Sequence, residues 1–263
     1  MKKSPLPSLR KKRQLSELEH IYGELKHLFT IGEFVPGQRL TLPLLAEAFG
    51  TSQMPIREVV NRLVVARALE SPPRRSLLVP KATVEKLDSL LPLRLLLEGE
   101  ATRLAVINGR ESLASELEAI NARMDVEAES GNSKKYLELN QRFHFTLYRQ
   151  CKNDELVDMI ELLWMRYGPL MNLVRSGVLS ITGHGHHSTV VAGIRDRNPE
   201  MAAEAIRSDL GDAAVAIRKA IVDEGAVLEP VAKTDDAKKS RRRPQSRPRL
   251  TGGQRQAVKS DLT

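Results

Sequence analysis

The sequence predicts a mainly α-helical protein, with an N-terminal winged helix-turn-helix and a C-terminal antiparallel all-α helical bundle. Three observations lead to this prediction. Apolar residues recur at steps of three and four over most of residues 15–222, as on one face of a helix. Near the N-terminus, a short helical pattern closed by Gly50 is followed at once by a second one, which is typical of two helices joined by a tight turn. Beyond residue 83, no segment has the pattern of a strand or of a glycine-rich phosphate loop.

Composition excludes several classes of protein. The chain has 263 residues and a single cysteine, Cys151, which excludes a disulfide framework and a cysteine-rich zinc site and predicts a reducing compartment such as the cytoplasm. Aromatic residues make up only 4%, which argues against a platform that stacks single-stranded bases. The longest apolar stretch, residues 90–97, contains Pro92 and Arg94 and is too short and too polar to span a bilayer. The basic N-terminus precedes no apolar stretch, so we expect neither a secretory signal nor a membrane partner.

The positive charge lies at the two ends of the chain. Residues 1–14 carry six Lys or Arg and no acid, and residues 230–263 carry ten Lys or Arg against three Asp, whereas the remainder is mildly acidic. We therefore expect a basic arm over residues 1–14 and a disordered basic tail over residues 227–263, because the tail has too few apolar residues to fold. Such tails attract phosphate polyanions in a salt-dependent way. The alternative is a solubilising terminus without a defined partner.

The first predicted domain covers residues 15–80. It starts with a helix whose apolar face runs from Leu15 to Phe29 and continues with a short helix over residues 42–49. Ser52 is placed as the N-cap of the next helix, and Pro55 falls in the first turn, where its missing N–H costs nothing. Residues 72–76 lie between short apolar runs and are expected to form the tip of a β-hairpin, the wing.

The second helix of this pair is the candidate for reading DNA. A recognition helix lies in the major groove and presents residues near its N-terminus to base edges, where Arg pairs with guanine and Gln or Asn with adenine. Arg74 and Arg75 on the wing are expected to meet the DNA backbone or the minor groove. The alternative is that all these side chains are ordinary solvated charges. The predicted DNA-binding residues are Ser52, Gln53, Pro55, Arg57, Asn61, Arg62, Arg74 and Arg75.

The segment PGQRLTLPLLAEAFGTSQMPIREVVNRL resembles the winged helix-turn-helix of the GntR family of bacterial regulators. That family reads approximately PG-x-x-L, then LA-x-x-(L/F)G-x-S-x-x-P-(V/I)RE. The chain departs from this pattern at three positions: Gln53 replaces a usual Arg, Pro43 replaces a polar or basic residue, and Ser76 replaces the wing glycine. The resemblance implies DNA binding, and two of the departures fall at positions that often contact the operator.

The second predicted domain covers residues 83–226 and consists of six helices, which favour an antiparallel bundle. Asn140 and His144 are four residues apart and therefore share one helix face. His187 is expected to open a helix after a loop formed by GHGH at residues 183–186, and Asp209 lies inside the last helix. A single neutral His on an apolar face is usually a hydrogen-bonded core residue.

This second domain resembles the FCD ligand-sensing domain of the FadR subfamily of GntR regulators. The resemblance is carried by LRLLLEGEATRLA, by NQRFHF with LYRQCKNDEL, and by HHSTVVAGIRDRNPEMAAEAIRSDL. In that family a carboxylate or amide and three His usually bind a divalent metal, and the matching positions here are Asn140, His144, His187 and Asp209. Asn140 stands where Asp is commonest and Asp209 where a His is expected.

The implied ligand set of two His, one carboxylate and one amide is suited to Zn, Ni, Mn or Fe. The alternative is a bundle that has lost its metal and binds an effector by hydrogen bonds alone. Besides these four residues, Arg94 is a candidate effector ligand, because its planar fork matches a carboxylate. The alternative for Arg94 is an ion pair with Glu98, four residues further along the helix.

Together these features predict a regulator, not an enzyme, that binds a palindromic operator on double-stranded DNA as a homodimer and responds to a small carboxylate metabolite. One alternative is a metal-dependent all-α enzyme, which the sequence disfavours because it has no evident nucleophile–base pair and no HExxH motif. The other alternative is a nonspecific basic nucleic-acid-binding protein driven by the tails.

Overall fold

The structure, a computed structural model, describes residues 13–72, 76–174 and 178–228. In these ranges nine α-helices and two short strands follow one another: α1 (Arg13–Thr30), β1 (Arg39–Leu40), α2 (Leu42–Phe49), α3 (Gln53–Val65), β2 (Leu77–Leu78), α4 (Val84–Asn108), α5 (Leu113–Glu129), α6 (Ser133–Tyr148), α7 (Asp154–Met171), α8 (Val178–Arg195) and α9 (Pro199–Leu228). The mainly α-helical architecture is therefore confirmed, with a winged helix-turn-helix ahead of a helical bundle.

The N-terminal domain packs α1, α2 and α3 around one apolar cluster. The Thr41 side chain caps α2 by accepting from the backbone N–H of Leu44, and Gly50 ends it in the left-handed region at φ 61°, which favours glycine. β1 pairs antiparallel with β2 in the register Arg39 to Leu78. A bridge between Glu70 and Leu78 closes the base of the predicted wing. The wing tip, with the predicted DNA contacts Arg74 and Arg75, lies outside the described residues.

The C-terminal domain is a bundle of α4 to α9 around a second and larger apolar cluster. Helices α4 and α9 lie antiparallel, since Arg218 of α9 pairs with Asp88 near the start of α4 and Arg207 lies against Gly99 further along. Helices α8 and α9 approach closely at Gly193, where a Cβ would come within 2.9 Å of the backbone nitrogen of Ala202.

The structure corrects the sequence-based prediction at three helix ends. Residues 183–186 form no loop, because α8 begins at Val178 and runs through them. Glycine disfavours helix by about 1 kcal/mol per residue, and packing of α8 along α9 outweighs that preference here. Helix α1 begins at Arg13, inside the predicted basic arm, and α9 continues to Leu228, two residues into the predicted tail. The rest of both terminal segments lies outside the described residues.

The two domains meet where α1 lies against α7. A Cβ on Gly168 would come within 1.8 Å of the carbonyl oxygen of Phe29, so only glycine permits this approach. Asn172 Nδ2 donates to the carbonyl of Gly32 over 2.7 Å, and Lys26 pairs with Glu161 at 2.5 Å. None of the helices in the described ranges has the length and apolarity needed to cross a membrane.

Candidate DNA-binding face and buried histidine site

Helix α3 turns one face inward and leaves the opposite one open. Its buried side chains are Ile56, Val59, Val60 and Leu63. The predicted base-reading residues Gln53, Arg57 and Asn61 are all exposed. At 3.6 residues per turn Arg57 and Asn61 lie away from the buried stripe, and Gln53 is exposed because it begins the helix, one turn before Arg57. Three of the predicted DNA contacts are therefore presented outward together.

Arg62 and Pro55 lie on the flank of α3 that faces α1. The Arg62 guanidinium donates to Glu19 over 2.7 Å and lies 5.6 Å from the centre of the Tyr22 ring. A contact of Arg62 with DNA would therefore have to compete with this ion pair. Ser52 occupies the N-cap position with an extended backbone, but its side chain makes no capping hydrogen bond. The exposed Ser52 hydroxyl therefore does not make the N-capping hydrogen bond that the sequence predicts.

Met54 is an exposed apolar side chain that the polar pattern of α3 did not single out. It is 66% exposed on the outward face, beside Gln53. Apolar side chains on recognition helices contact the methyl group of thymine. Only its position in the sequence, one residue after Gln53, could have identified Met54 as a candidate DNA contact.

A small cavity lies inside the bundle and brings together most of the predicted effector residues. Its volume is ≈ 20 Å³, room for about one or two water molecules. Helices α4, α6, α7 and α9 contribute its walls. The lining residues are Arg94, Tyr136, Asn140, His144, Trp164, Tyr167, Gly168, Met171, Asp209, Leu210 and Ala213.

Two histidines converge on one buried carboxylate at this cavity. His144 of α6 places Nε2 3.3 Å from Asp209 Oδ2, and His187 of α8 places Nε2 3.8 Å from Asp209 Oδ1. All three side chains are buried, and their potential ligand atoms lie within 4.8 Å of one another. Ligand atoms about 2.0–2.2 Å from one ion have separations of this order. Asn140, one turn before His144, lines the same cavity.

The outer hydrogen bonds of both histidines fit a metal site. Tyr148 donates its hydroxyl hydrogen to Glu98 over 2.7 Å, so its oxygen accepts from His144 Nδ1 at 2.8 Å. Similarly, His187 Nδ1 lies 3.2 Å from Asn121 Oδ1, an acceptor, and therefore donates to it. Each imidazole thus carries a hydrogen on Nδ1 and turns Nε2 toward Asp209. Metal-binding histidines are oriented in the same way by acceptors on their outer nitrogen.

Electrostatics keep Asp209 ionised despite its burial. Burial opposes the charged form, but the hydrogen bond from His144 and the positive charges that His187 and His144 have when Nε2 also carries a hydrogen outweigh it, so the pKa of Asp209 lies below its ordinary value. A buried carboxylate that faces two imidazole nitrogens requires either a proton or a cation between them. The donor set therefore fits a divalent metal.

Arg94 forms the ion pair with Glu98 that the sequence offered as the alternative to effector binding. Its guanidinium forms two hydrogen bonds with Glu98, at 2.5 and 3.2 Å, with both side chains buried. It also lies 4.0 Å from the centre of the Tyr167 ring. Burial opposes the charge of Arg94, but the Glu98 carboxylate outweighs burial and raises the pKa of Arg94. Its predicted contact with an effector stays a prediction, and such a contact would have to share the guanidinium with Glu98.

Several residues of this network were absent from the predicted site. Glu98 accepts from Arg94, from Tyr148 and, over 2.9 Å, from Trp164 Nε1. Tyr148 lies four residues after His144, a helical spacing that could have identified it. Trp164 and Asn121 come from other helices and carry no local signal.

Comparisons with known families agree with both parts of this architecture. Residues 18–79 match the family model described as bacterial regulatory proteins, gntR family, and residues 89–212 match the FCD domain. The chain is 33% identical over 164 residues to the HTH-type transcriptional regulator McbR of Escherichia coli, covering 62% of this chain and 74% of that protein. It is 27% identical to the HTH-type transcriptional regulator YdhC of Bacillus subtilis, over 65% of this chain and 74% of that protein.

Solved structures of similar proteins have the same fold. The structure of Escherichia coli McbR/YncC superposes with a TM-score of 0.73 at 26% sequence identity, covering 77% of this chain and 97% of that one. A GntR structure from Rhodococcus sp. RHA1 superposes with a TM-score of 0.63 over 77% of this chain and 97% of that one. At 18% identity the second likeness concerns the fold alone.

Proposed function

This chain belongs to the GntR family of bacterial regulatory proteins, and we propose that its buried histidine site controls how its N-terminal domain binds DNA. It is a DNA-binding transcriptional regulator with an effector-binding FCD domain. The observation that carries the proposal is the joint outward presentation of Gln53, Arg57 and Asn61 on a helix whose other face is buried. Because its target is chromosomal DNA, we place its action in the bacterial cytoplasm.

In the proposed complex, α3 enters the major groove from its N-terminal end. Arg57 would donate to guanine and Gln53 or Asn61 would pair with adenine, while Met54 would contact a thymine methyl. Ser52 and Pro55 would fix the approach of the helix to the backbone. Gln53, which replaces the Arg usual in the family, would give this protein an operator of its own.

We propose that two copies bind a two-fold related operator. Exposed apolar side chains follow the outer face of α4 and continue on the adjacent outer face of α9. Arg103 with Glu100 and Arg207 with Glu204 flank this surface as pairs of opposite charge, so two copies related by a two-fold axis would bring each cation near an acid of the other copy. A two-fold contact between copies requires such a surface. The exposed apolar residues are Leu93, Leu96, Ile107, Val215 and Val222.

His144, His187 and Asp209, with Asn140 beside them, would hold a divalent metal. When bound, such an ion supplies a positive centre that attracts a carboxylate ligand. The cavity of ≈ 20 Å³ is far smaller than a small organic acid, so effector binding requires the cavity walls to move. This requirement couples ligand binding to a conformational change.

Helix α7 is the proposed route of that change to the DNA-binding domain. Trp164, Tyr167 and Gly168 of α7 line the cavity. The same helix contacts α1 at Gly168, against Phe29. A shift of α7 on effector binding would therefore move α1, on which α3 packs. Coupling arises if the effector binds the two arrangements with different affinity.

The test selects DNA sites from a random library and compares the selected duplex with a scrambled one by fluorescence anisotropy. We expect a preference of about 10³-fold or more for the selected site. Elemental analysis of the gently purified protein should find one divalent metal per chain. Equal affinity for both duplexes would refute operator recognition and favour the nonspecific nucleic-acid-binding alternative.

Deletion of residues 231–263 separates the tail from the recognition helix. The truncated protein should show a shallower dependence of affinity on salt, because fewer phosphate contacts release fewer counterions. Its preference for the selected site should be unchanged. If the preference disappears with the tail, α3 does not read the operator.

A further inference from the structure

A second cavity lies at the junction of the two domains, outside the histidine site. It is an open cleft of ≈ 940 Å³. The end of α3 and the base of the wing form one side, and α4 with Arg166 of α7 forms the other. None of its lining residues lines the bundle cavity. The charged residues that line the cleft are Arg67, Glu70, Lys81, Glu85, Lys86 and Arg166.

Cationic side chains outnumber acidic ones in this cleft by four to two. Arg67 comes from the N-terminal domain, while Lys86 and Arg166 come from the bundle. Lys86 and Arg166 are half-buried. The Nε atom of Arg166 is buried and has no hydrogen-bond partner among the described residues. A buried guanidinium nitrogen that lacks a hydrogen-bond partner favours binding of an acceptor.

The acidic residues of the cleft do not neutralise these cations. Glu70 and Glu85 are both exposed, and within the described residues neither lies in an ion pair with Lys86 or Arg166. Burial and then the positive charge of Arg166 lower the pKa of Lys86 to about 8, against the weaker effect of Glu70. Burial and the charge of Arg67 similarly lower the pKa of Arg166. The three cations therefore repel one another across the domain boundary.

The two helix ends at the cleft act in opposite directions. The C-terminal end of α3, just before Arg67 in the left-handed region at φ 57°, contributes the negative end of a helix dipole. Thr83 caps α4, so the cleft also contains the positive end of a 25-residue helix.

We propose that this cleft is a binding site for a small oxyanion of the phosphate or carboxylate type, held by Lys86, Arg166 and Arg67. The anion would accept hydrogen bonds from both domains and remove the repulsion between their cations. It would therefore stabilise one orientation of the DNA-binding domain on the bundle. Anion binding itself does not depend on the proposed function. Only the expected effect of the anion on operator binding rests on the proposed function.

The position of the cleft favours a small anion over the DNA backbone. Arg67 follows the C-terminal end of α3 and lies about 20 Å along the helix from Gln53. Gln53 marks the N-terminal end of α3, which is the end expected to enter the major groove. A ligand bound between Arg67, Lys86 and Arg166 would lie behind the recognition helix.

The test is calorimetric titration of the full-length protein with inorganic phosphate, in the absence of DNA and at ionic strength matched with chloride. A second titration with citrate distinguishes a carboxylate ligand from a phosphate. We expect one site per chain for at least one of these probes and at least a tenfold loss of affinity in Lys86→Met and in Arg166→Met. Arg123→Met, at an exposed position on α5, is the matched control and should bind as the wild type does.

One further variant makes the outcome decisive. His144→Ala removes the proposed metal site and with it any citrate bound there, but it should leave unchanged the anion binding that Lys86→Met weakens. A loss of that binding in His144→Ala would assign the anion to the histidine site and overturn the proposal. If Arg166→Met fails to fold, Lys86→Met decides alone, because methionine retains the apolar stem of lysine. Binding of neither probe to the wild type, or equal binding to Lys86→Met, would also overturn it. A shallower salt dependence of operator binding in Lys86→Met with unchanged anion affinity would assign these cations to DNA.

Discussion

Tyr148 Oη lies 2.8 Å from His144 Nδ1 and donates its own hydrogen to Glu98. Since Glu98 also receives two hydrogen bonds from Arg94, a buried ion pair determines the orientation of one histidine of the proposed metal site. Burial and the neighbouring Glu98 carboxylate raise the pKa of Tyr148 well above its ordinary value, so the phenol keeps its hydrogen. Tyr148 is therefore a positioning residue, which acts through His144.

Tyr148→Phe should weaken metal binding while preserving the fold. The variant keeps the buried ring but removes the acceptor that fixes the His144 tautomer, and loss of such an outer partner reduces metal affinity by about 10–100-fold. A competition titration with a chromophoric chelator measures the change. Tyr167→Phe is the matched control, because it removes a phenol from the same core whose ring packs against Arg94. Equal affinity in wild type and Tyr148→Phe would contradict the positioning role.

The helix-turn-helix could be predicted from sequence because its signals are local. Gly50 ends α2, and the apolar steps from Ile56 to Leu63 define the buried face of α3 within one short segment. Helix α8 could not be predicted in the same way, since Gly183 and Gly185 among three histidines are typical of a loop. Its helical conformation depends on packing against α9, a contact between segments that no local pattern records.

The histidine site was predictable in its inner residues and not in their partners. The resemblance to the FCD domain identified His144, His187 and Asp209, and these three side chains do converge. Asn121, which orients His187, is 66 positions away in the chain and belongs to another helix. Such partners become visible only when the helices are assembled.

Arg57→Ala and Arg62→Ala should have different effects on DNA binding. Arg57 is exposed on the outward side of α3, so its loss should weaken operator affinity by about 1–3 kcal/mol. Arg62 is bonded to Glu19, so its loss should reduce operator affinity less and lower the melting temperature of the N-terminal domain slightly. Anisotropy titrations and thermal melts of both variants measure these changes. A larger loss of affinity in Arg62→Ala would reverse the assignment.

Gly168→Ala should separate the two domains at the contact between α1 and α7. The added methyl group would lie 1.8 Å from the Phe29 carbonyl oxygen, a backbone atom that no rotamer change can move. Overpacking of this kind costs about 1–3 kcal/mol. We also expect the difference in operator affinity between metal-loaded and chelated protein to disappear, because α7 no longer moves α1.

Gly23→Ala provides the control for that variant. Gly23 lies on the same helix α1, and a Cβ there would have no atom within 4 Å. The substitution should raise stability by about 0.5–1 kcal/mol through helix propensity and leave the metal response intact. A retained metal response in Gly168→Ala would show that coupling takes another route.

The lowered pKa of Lys86 predicts how the stability of the protein depends on pH. This pKa is about 8 in the folded protein, below the ordinary value of 10.5, because burial and Arg166 oppose the charge of Lys86. Between these two pH values the unfolded chain binds more protons than the folded one, so the contribution of Lys86 to stability rises with pH and is least favourable below about pH 8.

Lys86→Met removes this titration. In phosphate-free buffer near pH 7 the variant should be more stable than the wild type by about 1 kcal/mol, a value reduced by solvent screening at this partly exposed group. The difference should shrink as the pH approaches 10.5. Urea unfolding midpoints over this range provide the measurement, with Lys219→Met, at an exposed position on α9, as the control that should follow the wild type. Because a bound anion would neutralise the repulsion between Lys86 and Arg166, added phosphate or citrate should stabilise the wild type and not Lys86→Met. A constant difference at every pH would show that burial of Lys86 imposes no cost on its charge.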